Sequence, residues 1–460
     1  MSPYAGARSI FPSPTDLFAT RRQPHRAFQP FSSPSPQIHR RPTPMGCLLA
    51  LTDDLLADIL VRLPTPADLA RASASSASLR RVVSSPRFLR RVRSLHAPPP
   101  LGVFVPDDAA GFYPALPPNP TARPARALAL AADFSFAFLP PPAGAWLVRD
   151  HRDGRFLLDR AAPAGSTAFT EVAVCDPLFR RCLLLPPIPD ALAASVENPY
   201  LQRGGDDGGL QSRSNEIFLA SRGSDDRGEE LPFSVIWMAC CRGKLVAFSF
   251  CSGSREWSAL SPPVHHALSM RRVMGVRLGQ RNHAHGCFYW MITLTRRWLV
   301  LDARKMEFSI LDISPVLAGR SMMFSNQITT LESGEGRTTV VVSDLFRADK
   351  RCVLYFYSFM HFSDRWQLQN KITLPEEWGD RFRGIIGAFE GCLYIKLDHP
   401  KQNLGDPVDQ NVTYFWFDVK TMQVGRFTEI SSATVNEAYL YTGFPHHCHF
   451  QVFDPVSFIL

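Results

Sequence analysis

The sequence predicts a mainly β protein with a short helical segment near its N-terminus. Three observations carry this expectation. The 460 residues include 39 prolines, well above the ~5% usual for globular chains, and each Pro removes a helix donor and clashes with the preceding turn. Beyond Pro98-Pro99-Pro100, short runs of β-branched and aromatic residues alternate with turn residues. Only residues 51–93 place apolar residues at helical spacing.

The helical stretch reads element by element. Thr52 stands where a helix cap belongs, and Asp53 and Asp54 suit the positive end that follows. Leu55, Leu56, Ile59, Leu60 and Leu63 recur at helical spacing, and Pro64 stops the run. Thr65-Pro66-Ala67-Asp68 restarts a helix that carries Leu69, Leu79 and Val82, and Ser85-Pro86 starts a third with Phe88. Three short helices in ~43 residues bury too little apolar surface to stand alone. The segment is expected to need a partner surface.

The strand-forming part shows an internal echo. Val172 to Cys175 runs into Asp176-Pro177, Trp298 to Leu301 into Asp302, Phe415 to Phe417 into Asp418, and Gln451 to Phe453 into Asp454-Pro455. Asp ends each run because its carboxylate accepts the amide hydrogens of the turn it opens. Generic hairpin chemistry gives the same pattern. Read as a repeat, it predicts β-propeller blades of ~40–50 residues, about six or seven in the length available. Residues 203–230, rich in Gly, Asp and Glu, read as a mobile insertion. The expected organisation is a disordered basic Pro/Ser/Arg-rich tail at 1–46 and a helical module at 47–93. A Pro-rich linker with the first strands follows at 94–145, and the β domain fills 146–460.

Charge and motif composition narrow the function. Of the net charge of +8, residues 1–46 carry +5 and 47–93 carry +4, which leaves 94–460 at about −1 and without a basic stripe to follow phosphates. No apolar run approaches the ~18 residues of a membrane span. The ten cysteines, without a secretory signal pattern, point to a reducing cytoplasmic or nuclear setting. An organellar transit function for the Arg-rich, acid-poor residues 1–46 is the alternative. The nearest metal patterns are His283-x-His285-x-Cys287, which on a single strand would share one face, and His446-His447-Cys448-His449. Neither has paired zinc-finger spacing, so no metal is expected. Phosphate-cradling loops and nucleophile elbows do not occur, and Glu376-Glu377 before Trp378 reads as a solvated turn. Catalytic residues and cofactors are not expected. Lysine is scarce, with seven residues and none before Lys244.

The order Leu51-Thr52-Asp53-Asp54-Leu55-Leu56-Ala57-Asp58-Ile59-Leu60-Val61-Arg62-Leu63-Pro64, followed by Ala67-Asp68-Leu69 and Ser85-Pro86-Arg87-Phe88, resembles an F-box. Thr52 replaces that family's usual Pro, Ser75 and Ser76 its Cys or Val, and Leu79 its Trp. Cys175-Asp176-Pro177-Leu178-Phe179-Arg180-Arg181-Cys182 through Pro189, with Gly286-Cys287-Phe288-Tyr289-Trp290 and Leu299-Val300-Leu301-Asp302, is similar to the F-box-associated, kelch-like β domains of plants. The resemblance implies a non-catalytic substrate receptor of a Skp–cullin–F-box E3 ubiquitin ligase. It implies adaptor contact through Leu51, Leu55, Leu56, Ile59, Leu60, Leu63, Pro64, Leu69, Leu79, Val82 and Phe88, with the β domain holding a protein substrate. A non-degradative F-box scaffold and a propeller-type enzyme are the alternatives.

Residues 1–46 hold few apolar groups and many prolines. Deleting them is expected to leave the thermal transition of the rest unchanged, as read by circular dichroism.

Overall fold

The computed structural model describes residues 51–63, 66–96, 98–106, 111–141, 146–160, 169–196, 215–221, 233–241, 244–261, 278–292, 295–318, 328–332, 337–346, 351–360, 365–379, 381–399, 411–431 and 438–443. Expectations about residues 1–46, Pro64, the His446 cluster and Asp454 lie outside these.

Four helices open the described chain: α1 (Asp53–Leu60), α2 (Pro66–Ser75), α3 (Ala77–Val83) and α4 (Pro86–Leu95). The sequence predicts three. The extra break falls at Ser76, whose extended backbone and side chain cap α3 by accepting the Ser78 N–H. Ser85 caps α4 through the Phe88 N–H, with Pro86 in the first turn. Thr52 is extended as a cap should be, yet its side chain makes no capping bond.

Five four-stranded antiparallel sheets follow in sequence order. The first holds β3 (Trp146–Arg152), β4 (Arg155–Arg160), β5 (Val172–Asp176) and β6 (Arg181–Leu184). The second holds β7 (Asn215–Ser221), β8 (Phe233–Cys241), β9 (Lys244–Cys251) and β10 (Glu256–Leu260). The third is β11 (Asn282–Ala284), β12 (Cys287–Met291), β13 (Arg297–Asp302) and β14 (Glu307–Asp312). The fourth is β15 (Ile328–Glu332), β16 (Arg337–Phe346), β17 (Arg351–Met360) and β18 (Gln367–Thr373), and the fifth β19 (Phe382–Phe389), β20 (Cys392–Asp398), β21 (Asn411–Asp418) and β22 (Val424–Ser431). The sixth sheet is composite. Its order is β2 (Phe112–Pro114), β1 (Pro100–Phe104), β23 (Tyr439–Thr442).

Contacts between first strands arrange these sheets as a ring. β3 meets β7, β11 meets β15, β15 meets β19, β19 meets β23, and β23 meets β3. An ion pair from Arg281, the residue before β11, to Glu216 on β7 spans the remaining step. The fold is a six-bladed β-propeller, closed by pairing β23 from the C-terminal side against β1. Glycine permits the close fit in this last blade, since a Cβ on Gly102 would collide with the Tyr113 carbonyl oxygen.

The blades bury both faces, which is why their strands read as continuous apolar runs rather than alternating ones. In β8, Val235, Trp237 and Ala239 pack toward the first sheet while Ile236 and Met238 pack toward the third. In β13, Leu299 and Leu301 face the second sheet while Trp298 and Val300 face the fourth. The final blade shares one cluster with both neighbours. Val103, Phe104 and Tyr441 meet Phe156 and Leu158 on one side and Tyr394, Tyr414 and Phe427 on the other. Helix α5 (Ala122–Ala131) adds Ala125 and Leu128 to it.

The Asp echo is hairpin chemistry repeated in the first, third and fifth sheets. Asp176 accepts the Leu178 and Phe179 amides, Asp302 those of Arg304 and Lys305, and Asp418 those of Lys420 and Thr421. Four residues beyond each Asp the backbone turns left-handed, at Arg180, Met306 and Met422. Arg255 repeats that geometry with Cys251 in the Asp position, so the second sheet keeps the turn and lacks the carboxylate. One expectation is corrected. Residues 215–221, placed by composition within the 203–230 insertion, form β7, because Ile217-Phe218-Leu219-Ala220 is a buried apolar run between polar flanks.

Tyr441 carries the closure. It is buried and stacks on His151 at 4.4 Å, with Phe112 at 5.1 Å and Phe156 at 5.9 Å. Tyr441→Ala is expected to cost about 3–5 kcal/mol, as for other large buried aromatics. A urea-unfolding midpoint unchanged within error would contradict this role for β23.

Candidate functional site

Two places in the fold combine an exposed apolar pair or buried charges with well-defined geometry. The first is helix α1. Leu56 and Leu60 are buried at 1% and 5% exposure, as are Val61, Leu69, Val82, Val83, Phe88 and Val92 of the helical segment. Leu55 and Ile59, one turn apart, remain 50% and 46% exposed. An i, i+4 pair lies on one helix face, so α1 has an inner and an outer apolar stripe. Its carboxylates face the other helices. Asp53 meets Arg81 at 2.8 Å, Asp54 meets Arg87 at 3.4 Å, and Asp58 pairs with Arg91. These pairs are exposed, and such pairs are worth ~0–1 kcal/mol each. They orient α1 more than they hold it. His96 Nε2 lies 2.9 Å from the Val61 carbonyl and ties the end of α4 to the end of α1.

The described contact residues therefore fall into three groups. Leu56, Leu60, Leu69, Val82 and Phe88 are buried and build the helical core. Leu55 and Ile59 are exposed, and Leu51, Leu63 and Leu79 are half-buried.

The second place is a charge cluster on the inner strands, which the sequence reading did not single out. Asp150 on β3 accepts the Leu219 amide from β7 at 2.7 Å and receives Arg281 Nη2 at 2.5 Å. Arg281 gives Nη1 to Glu216 at 2.6 Å, and the Trp290 indole N–H donates to the other Glu216 oxygen at 2.7 Å. One guanidinium thus joins the first three blades. Its side chain is 13% exposed and that of Asp150 5%. Arg281 also lies over Phe218, and Arg152 over Phe288 while donating to the Leu219 carbonyl. Burial raises the Glu216 carboxyl above its usual range, with Arg281 and the Trp290 N–H opposing the shift. Removing one member of such a buried pair strands a charge, a loss of about 3–5 kcal/mol. Charged residues spaced 65 to 131 positions apart give no local pattern, so periodicity could not have found them.

His151 on β3 and His283 on β11 are held as neutral imidazoles. Burial, reinforced by Arg152, lowers His151 to about 3. Burial together with Arg152, Arg281 and His285 holds His283 well below the ordinary range. His151 Nε2 finds no hydrogen-bond partner among the described residues.

The His283-x-His285-x-Cys287 pattern does not share a strand face. β11 ends at Ala284, His285 and Gly286 form a left-handed turn, and Cys287 starts β12. His285 is held instead by its amide to Glu332 and by a ring contact to the Arg337 carbonyl. No group of three potential metal ligands is assembled among the described residues. Glu376 and Glu377 are exposed on a 3₁₀ turn that buries Trp378.

No family model matches the chain, and no curated protein matches it. Among solved structures it is similar to YCF48 bound to D1 peptide, at 7% identity and TM-score 0.32, covering 63% of this chain and 69% of that one. It is also similar to the WD40 domain of SCAP from fission yeast, at 6% identity and TM-score 0.29, with coverage of 64% and 76%. A third is the GH43 protein BlXynB from Bacillus licheniformis, at 6% and 0.29, with coverage of 64% and 56%. The propeller assignment rests on strand pairing. No helix among the described residues is long and apolar enough to cross a membrane.

The buried histidines fix a pH dependence. A folded pKa below the unfolded ~6.5 leaves stability intact above that value and removes it as pH falls toward about 3. His151→Phe keeps the ring and deletes the titration. Compared with this variant, the unaltered protein is expected to lose about 2 kcal/mol between pH 7 and pH 5 in urea denaturation. Parallel profiles would show that His151 titrates normally. Using the difference cancels the opposite contribution of Glu216, whose raised pKa favours the folded state as pH falls.

Proposed function

We propose that the chain is the substrate-recognition subunit of a Skp–cullin–F-box type E3 ubiquitin ligase. The outer stripe of α1 docks the Skp-type adaptor, and the propeller holds a protein substrate. The observation that carries this reading is the split of the Leu/Ile run of α1 into a buried pair and an exposed pair. A helix whose core is already satisfied by Leu56 and Leu60 has no internal use for Leu55 and Ile59. Leu63, half-buried just beyond the helix, is the remaining apolar residue of that run. The ordered F-box-like motif supplies the class of partner.

A propeller suits protein–protein interaction, since a rigid ring of blades presents loops from several sheets together. The helical module and the propeller then divide the work, one joining the ligase and the other selecting a substrate. Neither role needs catalytic chemistry from this chain. Lysine scarcity fits the same reading, because arginine keeps positive charge and offers no acceptor amine for ubiquitin. Codon bias accounts equally for that composition.

Burying Leu55 and Ile59 contributes ~1.5–3 kcal/mol each before association costs. Leu55→Asp with Ile59→Asp is expected to weaken binding of a purified Skp-type adaptor at least about 100-fold. The thermal transition of the propeller should not move, since both side chains are exposed. Undiminished adaptor affinity in that double variant would overturn the docking assignment.

A further inference from the structure

The hairpin β5–β6 carries two cysteines directly opposite each other. The register pairs Ala173 with Leu184, Val174 with Leu183, Cys175 with Cys182 and Asp176 with Arg181. The Leu185 amide donates to the Val172 carbonyl at 2.9 Å, so Val172 and Leu185 form a hydrogen-bonded pair. Alternation along an antiparallel ladder then makes Cys175–Cys182 a non-hydrogen-bonded pair, the kind whose Cα atoms approach to ~4.5 Å with side chains on one face. That separation lies inside the ~4.4–6.8 Å range of disulfides. Both thiols are free, Cys182 exposed and Cys175 buried. In the described registers no other two cysteines stand opposite each other.

We propose that Cys175 and Cys182 form a reversible cross-strand disulfide when the protein meets a low-molecular-weight disulfide such as oxidised glutathione. The Cys182 thiolate attacks one glutathione sulfur, forming a mixed disulfide and releasing one glutathione thiol. The Cys175 thiol loses its proton to solvent, attacks the Cys182 sulfur and expels the second glutathione. Two protein thiols are oxidised, and one glutathione disulfide is reduced to two thiols. Burial raises the Cys175 thiol above its ordinary range, so the second step is the slow one and accelerates with pH.

The bond would sit where it matters for blade packing. Beyond Cys182 the chain sends Leu183, Leu185, Ile188 and Leu192 into the core shared with the second blade. The Trp257 indole N–H donates to the Pro186 carbonyl at 2.8 Å. A bridge at the start of β6 staples the outer strand from which this segment departs.

The test incubates the folded full chain with oxidised glutathione, blocks remaining thiols, digests with trypsin without reduction and maps the peptides. Trypsin cuts at Arg180 and Arg181, between the two cysteines, so a bridge joins two otherwise separate peptides. The expected result is that linked pair in the unaltered protein and its loss in Cys182→Ser. In Cys175→Ala, Cys182 should remain as the glutathione adduct. Because Cys182 is exposed, Cys182→Ser keeps the thermal transition of the reduced protein and controls for folding. A stable glutathione adduct on Cys182 with Cys175 still a free thiol, in the unaltered protein, would overturn the proposal. So would Cys175 linked to any other cysteine.

Discussion

The pairing of β23 with β1 is the constraint on which the other blades depend. Five sheets are local meanders, each made from consecutive strands. The sixth joins strands separated by more than 300 positions, with Val103 opposite Leu440 and Phe104 opposite Tyr439. Without it the first and fifth sheets would each expose an apolar face. The shared cluster from Phe156 through Tyr441 to Tyr414 would then open to water. The entropic cost of joining distant segments is met once, and the ring then buries every blade on both sides.

Polar groups near the inner strands follow from the same geometry. Where first strands converge, backbone amides and side chains from three blades lie close together. Asp150, Arg281 and Glu216 satisfy one another there, and Asp150 also satisfies the Leu219 amide. Such a network adds little net stability, because each charge has given up its hydration. The buried, neutral histidines beside it give the same region a pH dependence. The helical module works on another principle. Its core is small, its ion pairs are exposed, and one apolar stripe remains outward.

Much of this was legible in the sequence because blade chemistry is local. The runs Val172 to Cys175, Trp298 to Leu301 and Phe415 to Phe417 all fall within strands, and the Asp at the end of each marks the turn after it. The exception is instructive. Composition averaged over 203–230 concealed β7, a run too short to outweigh its Gly- and Asp-rich flanks. Histidine spacing misled for a related reason, since a two-residue turn at His285-Gly286 reverses the chain between candidate ligands. Helical spacing placed Leu55, Leu56, Ile59 and Leu60 on α1 but could not say which pair faces inward. The Asp150–Arg281–Glu216 network was illegible, because its members meet only through the ring.

The most direct test of ring closure is amide hydrogen exchange resolved by strand. Closure predicts that β1 and β23 exchange together, at the rate of global unfolding, with the inner strands β3 and β19 on either side. Rapid exchange in β23 while β1 and the other blades stay protected would contradict it, showing that the C-terminal strand is an accessory to the ring rather than the element that closes it.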